Sequence, residues 1–297
     1  MWRRPFPHAA HAVLNGLSQI FLQANPACGL LILVAIILHA PTLLAGCLLG
    51  LLSGTLTAWW LGYARQDIET GLYGYNSALL GLLISLALGA SAWALLLATL
   101  GGALSSVLQR RLLNVMRERG GPAVFTLAFV LLGWVTLAVA GMLAPATATA
   151  TTLAESAPDA LGALSAMASG IGQVMFLGGP QAGLCLLLAV LVADIRSGLW
   201  ALCGSALGVY CALLTGVTEA QALAGLAGYN PALAALALSQ VRRSAWVPAL
   251  GIALAIGCKL VFDQLSLPAL TMPFILACWT VARVTRPARR RVDPQPA

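Results

Sequence analysis

The feature that most limits the fold is a near-continuous succession of apolar runs from Cys28 to Thr285, broken only by short polar connections. Ten runs are read at 28–43, 44–62, 74–90, 91–108, 122–143, 183–193, 198–215, 226–240, 245–261 and 268–285. Most come close to the ~20 residues that cross a hydrocarbon core as a helix. Ten such runs with short connections predict an all-α membrane protein of ten spans. Charge agrees. Only 8% of the 297 residues are charged, where a soluble domain carries about 25%.

Arg3 and Arg4 precede an apolar stretch, as in a signal peptide, but Asn15, Gln19 and Gln23 interrupt it. No convincing cleavage site follows, so this stretch is expected to be retained. The net charge of +7 raises nucleic acid as a partner, and its placement argues against one. With a cytoplasmic N-terminus and ten alternating spans, the inner side receives fifteen of the sixteen basic residues, among them Arg65, Arg110, Arg117, Arg196, Arg242 and Arg283. Lys259 alone falls near the outer side, whose loops hold Glu155, Asp159, Glu219 and Asp263. This is the positive-inside pattern, and the Arg-rich C-terminus then lies against anionic lipid headgroups. The seven cysteines sit in or beside apolar runs without a C-x-x-C pair, so they read as small buried hydrophobes. His8 and His11 could share a helix face, but with no third ligand nearby no metal site is expected.

The chain is also duplicated. GLYGYNSALLGL begins at residue 71 and GLAGYNPALAAL at 225, an offset of 154 with eight of twelve positions identical. The same offset pairs Gln19 with Gln173, Pro26 with Pro180, Gly29 with Gly183 and Gly50 with Gly204. VFTLAF at 124–129 pairs with ALTMPF at 269–274 at an offset of 145, as a shorter second-half loop would produce. The expected division is a first repeat over 1–145 and a second over 146–297, together one transmembrane domain. Five spans in each half turn the second copy upside down, and inverted repeats of this kind place a permeation site near the midplane between them. Each half also opens on a weakly apolar segment, 8–23 and 160–177, stopped by ANPACG and GGPQAG. These read as half-helices that enter and return, which is tolerated only where backbone is buried in protein or lines a polar cavity. The alternative is an amphipathic helix lying on the membrane surface.

The repeated polar residues are the candidate site. Asn76 and Asn230, the latter followed by Pro231, read as N-caps of helices starting at depth. Tyr75 with Leu79 and Tyr229 with Leu233 are spaced to stack on one helix face, giving a flat apolar slot or ordinary packing. Gln19 and Gln173 are neutral amides that either line the path or hold helices together. Thr126 and Thr271 hold matching positions after Pro122 and Pro268, and Pro273 is expected to free a carbonyl one turn earlier. No acidic residue lies near the middle of a span, where ion-coupled carriers place ionisable groups. No phosphate-binding loop, zinc-protease motif or nucleophile elbow occurs. The residues therefore suit passive passage of a small neutral polar solute, with no enzymatic role and no cofactor.

With these motifs in hand, the chain resembles the urea transporter family along nearly its whole length. The resemblance rests on the GYN pair, on SQIFLQANPACGLLIL with GQVMFLGGPQAG, and on VFTLAF with ALTMPF. It implies two inverted five-span repeats, each with a re-entrant half-helix, a continuous pore within each subunit, a homotrimer, and urea as the permeating partner. By the same resemblance, Gln19 and Gln173 stand at the outer and inner mouths. Tyr75 with Leu79 and Tyr229 with Leu233 form the slots, and Thr126 and Thr271 the central constriction. LGGP replaces an Asn-Asn-Pro type stretch, Ala128 replaces a proline, and the tyrosines stand where the family often has phenylalanine. Ammonia, acetamide or formamide are alternative solutes, and an ion-coupled carrier is the alternative mechanism. The short loops suit a bacterial inner membrane, with both termini cytoplasmic.

Overall fold

The computed structural model describes residues 9–143, 160–215 and 224–285. Helix α1 (Ala9–Ser18) continues as a 3-10 turn (Gln19–Phe21) and is followed by α2 (Pro26–His39), α3 (Pro41–Trp60), α4 (Arg65–Glu69), α5 (Tyr75–Leu88), α6 (Ala92–Glu118) and α7 (Leu127–Leu143). Then come α8 (Ala160–Gly172) with its 3-10 turn (Gln173–Met175), α9 (Pro180–Ala193), α10 (Ile195–Leu214), α11 (Tyr229–Val241), α12 (Trp246–Gln264) and α13 (Met272–Val284). No strand occurs among the described residues.

Of these helices α3, α6, α10 and α12 are long and apolar enough to cross a bilayer unaided. Two further pairs qualify together but are sharply bent, α1 with α2 by 77° and α8 with α9 by 72°. Local sequence makes the bends. Leu22 and Phe176 end the 3-10 turns in left-handed conformation, with φ of 56° and 61°. A new helix then starts on a proline. At Pro26 it is capped by Asn25, whose side chain accepts from the Ala27 and Cys28 amides. α1 and α8 do not lie loose on a surface: Asn15, Gly16, Leu17 and Ser18, like Ala168, Ser169 and Gly170, are buried.

Each bent pair closes on a glycine. A Cβ on Gly29 would stand 2.0 Å from the Leu14 carbonyl oxygen, and one on Gly183 would stand 1.7 Å from that of Ala168. Backbone thus touches backbone where α2 crosses α1 and where α9 crosses α8. A similar approach recurs at Gly50 against Ser77 and Gly204 against Pro231, which seats α3 on α5 and α10 on α11. These close glycine contacts of the first half recur at the matching glycines of the second.

α5 and α11 form the interior. Every residue from Tyr75 to Ser85 and from Asn230 to Ser239 is buried. α3, α6 and α7 surround α5, while α10, α12 and α13 surround α11, and α2 meets α9 across the middle. Outward faces are apolar: Leu38, Trp60, Trp93, Leu100, Leu188, Leu199 and Leu214 are exposed. A surface of that kind needs lipid or a partner against it, and the chain is an integral membrane protein.

Several boundaries differ from the sequence reading. The run expected to end at 108 continues to Glu118, because Arg110, Arg111 and Arg117 are good helix formers beyond the apolar stretch. The runs expected from 122 and 268 become helical only at Leu127 and Met272, because irregular turns precede them. All seven cysteines are free, yet only Cys28, Cys47 and Cys278 are buried. Arg3, Arg4, His8, Glu155, Asp159, Glu219 and the basic residues after Thr285 lie outside the described residues.

The glycine crossings give a direct test. Gly29→Val and Gly183→Val should each abolish the folded protein or lower its stability by more than about 4 kcal/mol, read by thermal unfolding in detergent. Gly141→Ala, at a position with open space around it, should be neutral or slightly stabilising.

Candidate functional site

The site is built where two irregular segments meet. Just before α7, Phe125 has φ 48°; just before α13, Leu270 has φ 43°. Left-handed backbone at a residue with a Cβ costs about 1–2 kcal/mol, so something must hold both turns. Asn76 and Asn230 do so. The Asn76 Oδ1 accepts the Phe129 amide at 3.1 Å, and its Nδ2 donates to the Phe125 carbonyl at 3.5 Å. The Asn230 Oδ1 accepts the Phe274 amide at 3.1 Å, and its Nδ2 donates to the Leu270 carbonyl at 3.0 Å. Each asparagine therefore caps the first turn of a different helix and ties down the carbonyl in front of it.

This corrects the reading of Asn76 and Asn230 as caps of their own helices. α5 and α11 begin one residue earlier, on Gly74–Tyr75 and Gly228–Tyr229, without side-chain caps. That places each asparagine inside the first turn, its side chain free to reach across. Pro231 then occupies a first-turn position where no intrahelical N–H partner exists. Pro273 is corrected likewise. It sits in the first turn of α13, and the Ala269 carbonyl one turn back accepts the Met272 amide at 3.0 Å, so no carbonyl is freed by it.

The two segments meet at Thr126 and Thr271, whose hydroxyl oxygens are 2.7 Å apart and buried. Their flanks exchange bonds. The Trp134 indole donates to the Pro268 carbonyl and the Trp279 indole to the Ala123 carbonyl, each at 2.8 Å. The Phe125 and Phe274 rings lie 4.9 Å apart, tilted by 60°. Beside this seam is a cavity of about 60 Å³ walled by Gln173, Tyr229, Thr271, Leu270, Phe129 and Phe176. A water occupies about 30 Å³ in the liquid, so the space suits one small molecule.

The structure thus brings Gln173, Tyr229 and Thr271 to one cavity and joins Thr271 to Thr126. Leu233 is buried one turn beyond Tyr229, and Leu79 likewise beyond Tyr75. The Tyr75 hydroxyl donates to the Phe125 carbonyl and accepts from the Gln109 amide at 3.1 Å. Gln173 donates to the Ala224 carbonyl at 2.8 Å. Gln19 holds the matching position, half-buried at the start of its 3-10 turn. Sequence reasoning missed Gln109, the Phe125 and Leu270 carbonyls and the two indoles. Only the indoles left a signal: Trp134 and Trp279 are offset by 145 residues, the register of the two threonines. Among the described residues no carboxylate or cationic side chain is buried, and no group of three metal-ligating side chains is found among them.

Bent helix pairs, an apolar exterior and an interior of amides, hydroxyls, carbonyls and rings define an integral membrane protein of the transporter class. Residues 10–286 match the model of the family described as Urea transporter. The chain belongs to the urea transporter family. It is 31% identical over 302 residues to Urea transporter 1 of Ovis aries, covering 93% of this chain and 78% of that protein. The values are the same for Urea transporter 1 of Capra hircus, and for that of Rattus norvegicus they are 28% over 288 residues, 89% and 74%.

Losing either cap should expose the strained turn. Asn76→Ala and Asn230→Ala should each lower stability by about 1–3 kcal/mol, since a buried amide and carbonyl lose their partner. Thermal unfolding should detect it, and unchanged midpoints would show that the asparagines do not hold the turns.

Proposed function

We propose that this protein carries urea across the membrane passively, through a pore between two inverted repeats, residues 1–145 and 146–297. The observation that carries the proposal is the family match over residues 10–286, and the names of the similar proteins point to the same solute. Ten spans follow in this reading, with the two bent pairs contributing re-entrant half-helices. The reciprocal indole bonds support a two-fold relation between the halves, because an isologous contact makes each interaction twice. A homotrimer in a lipid bilayer, a bacterial inner membrane and cytoplasmic termini complete the proposal; the side-by-side distribution of basic residues supports the orientation.

Urea is planar, with four N–H donors and one carbonyl, and leaving water costs it those bonds. Facing rings and leucines make a slit that admits a flat molecule edge-on and rejects hydrated ions. Gln19 and Gln173 offer amides at the two mouths, and Tyr75 with Leu79 and Tyr229 with Leu233 wall the slots. Thr126 and Thr271 replace water at the narrowest point. The lack of buried carboxylates among the described residues supports downhill movement over ion coupling.

Proteoliposomes test this. Urea-driven swelling should exceed that of empty vesicles and be independent of pH and sodium gradients. Thr126→Val and Thr271→Val should each cut the flux up to roughly 10-fold, the value of one hydrogen bond at the barrier, with assembly unchanged. Gln19→Ala should weaken admission of urea. A gradient-dependent flux would overturn the passive mechanism, and preference for acetamide, formamide or ammonia in competition would replace urea as the solute.

A further inference from the structure

The two slots are not chemically equal. A carbonyl oxygen has two lone pairs. At Phe125 both are engaged, one by the Tyr75 hydroxyl and one by the Asn76 amide. At the matching carbonyl of Leu270 the Asn230 amide is the one donor among the described residues. The difference traces to Gln109 on α6, which is wholly buried. Its Oε1 accepts from the Asn76 Nδ2 at 3.1 Å and its Nε2 donates to the Tyr75 hydroxyl oxygen at 3.1 Å. Because Gln109 supplies the hydrogen to that oxygen, the hydroxyl's own hydrogen is directed to the Phe125 carbonyl. In the second half, Ser244-Ala245-Trp246 repeats Ser91-Ala92-Trp93, and this register puts Phe262 where Gln109 stands. Phenylalanine has no amide to offer. The Tyr229 hydroxyl reaches no carbonyl of the described residues, and Tyr229 lines the cavity together with Leu270, Gln173 and Thr271.

We infer that Gln109 is a positioning residue that makes the permeation path one-sided. By fastening Tyr75 to the Phe125 carbonyl, it withdraws the hydroxyl and the acceptor of the first slot from a passing solute. The second slot keeps both: a tyrosine hydroxyl and a carbonyl lone pair that can receive an N–H. A urea-like solute, planar and rich in N–H donors, is therefore retained at Tyr229 and Leu270 and passes Tyr75 without stopping. This rests on the path proposed above.

Two identical substitutions should then act in opposite directions. In proteoliposomes, Tyr75→Phe releases the Phe125 carbonyl and should lower the half-saturating urea concentration by roughly 2- to 10-fold, the size of one net hydrogen bond. Tyr229→Phe removes a partner and should raise it by a similar factor. Gln109→Leu should shift half-saturation in the direction of Tyr75→Phe. Its effect should be non-additive with Tyr75→Phe and additive with Tyr229→Phe, a contrast that a general loosening of the fold would not produce. Equal or same-direction shifts in the two tyrosine variants, or no shift in either, overturn the inference, and so does coupling of Gln109 to both tyrosines alike. If Gln109→Leu does not assemble, the tyrosine pair alone decides. Absence of urea flux with the unsubstituted protein would instead defeat the transport reading.

Discussion

The structure depends on mending two breaks in backbone hydrogen bonding deep inside an apolar bundle. A polypeptide in lipid has no water to satisfy a loose N–H or C=O, yet the chain interrupts its helices before α7 and before α13. Asn76 and Asn230 mend the breaks from a neighbouring helix, each giving an acceptor to the amide that the new helix leaves open and a donor to the carbonyl of the left-handed residue. The turns can then persist at depth. Because they persist, Thr126 and Thr271 face each other across the middle, with Leu270 brought to the cavity beside them.

The interior is polar without being charged. An amide or hydroxyl can be buried at modest cost once paired, while an isolated ion in low dielectric is far more expensive. Among the described residues, the ion pairs sit toward helix ends: Arg117 with Asp67, Arg65 with Glu69, and Lys259 with Asp263. Arg242 likewise donates to the Thr285 carbonyl at the end of α13, where a helix terminus carries partial negative charge. Charge near the ends and neutral hydrogen-bonding groups within are what passage of an uncharged solute requires.

Much of this was legible in the sequence because it was written twice. The GYN repeat and the Gln19–Gln173 and Thr126–Thr271 pairs sit at fixed offsets. The structure puts these residues at corresponding places in the two halves. The Asn76 and Asn230 roles were misread because Asn before a helix-favouring run is the usual mark of a local cap. That mark is real at Asn25, but nothing local distinguishes it from an asparagine one residue inside a helix that caps a distant one. Phe125 and Leu270 gave no sign of left-handed backbone, since glycine is the ordinary marker of that conformation and neither is glycine. Gln109 was invisible for the opposite reason to the threonines: it has no counterpart, and a search for pairs passes over a singleton.

The crossed indole bonds, Trp134 to Pro268 and Trp279 to Ala123, have a bearing on how such a chain changes over generations. Each tryptophan reaches a backbone carbonyl, which every residue carries, so positions 268 and 123 can change without losing the acceptor, while the donors depend on Trp134 and Trp279 themselves. Loss of either indole removes one donor from the opposite segment's carbonyl. Residue 109, whose register mate is Phe262, lies outside this crossed pair, and there the two segments differ in chemistry.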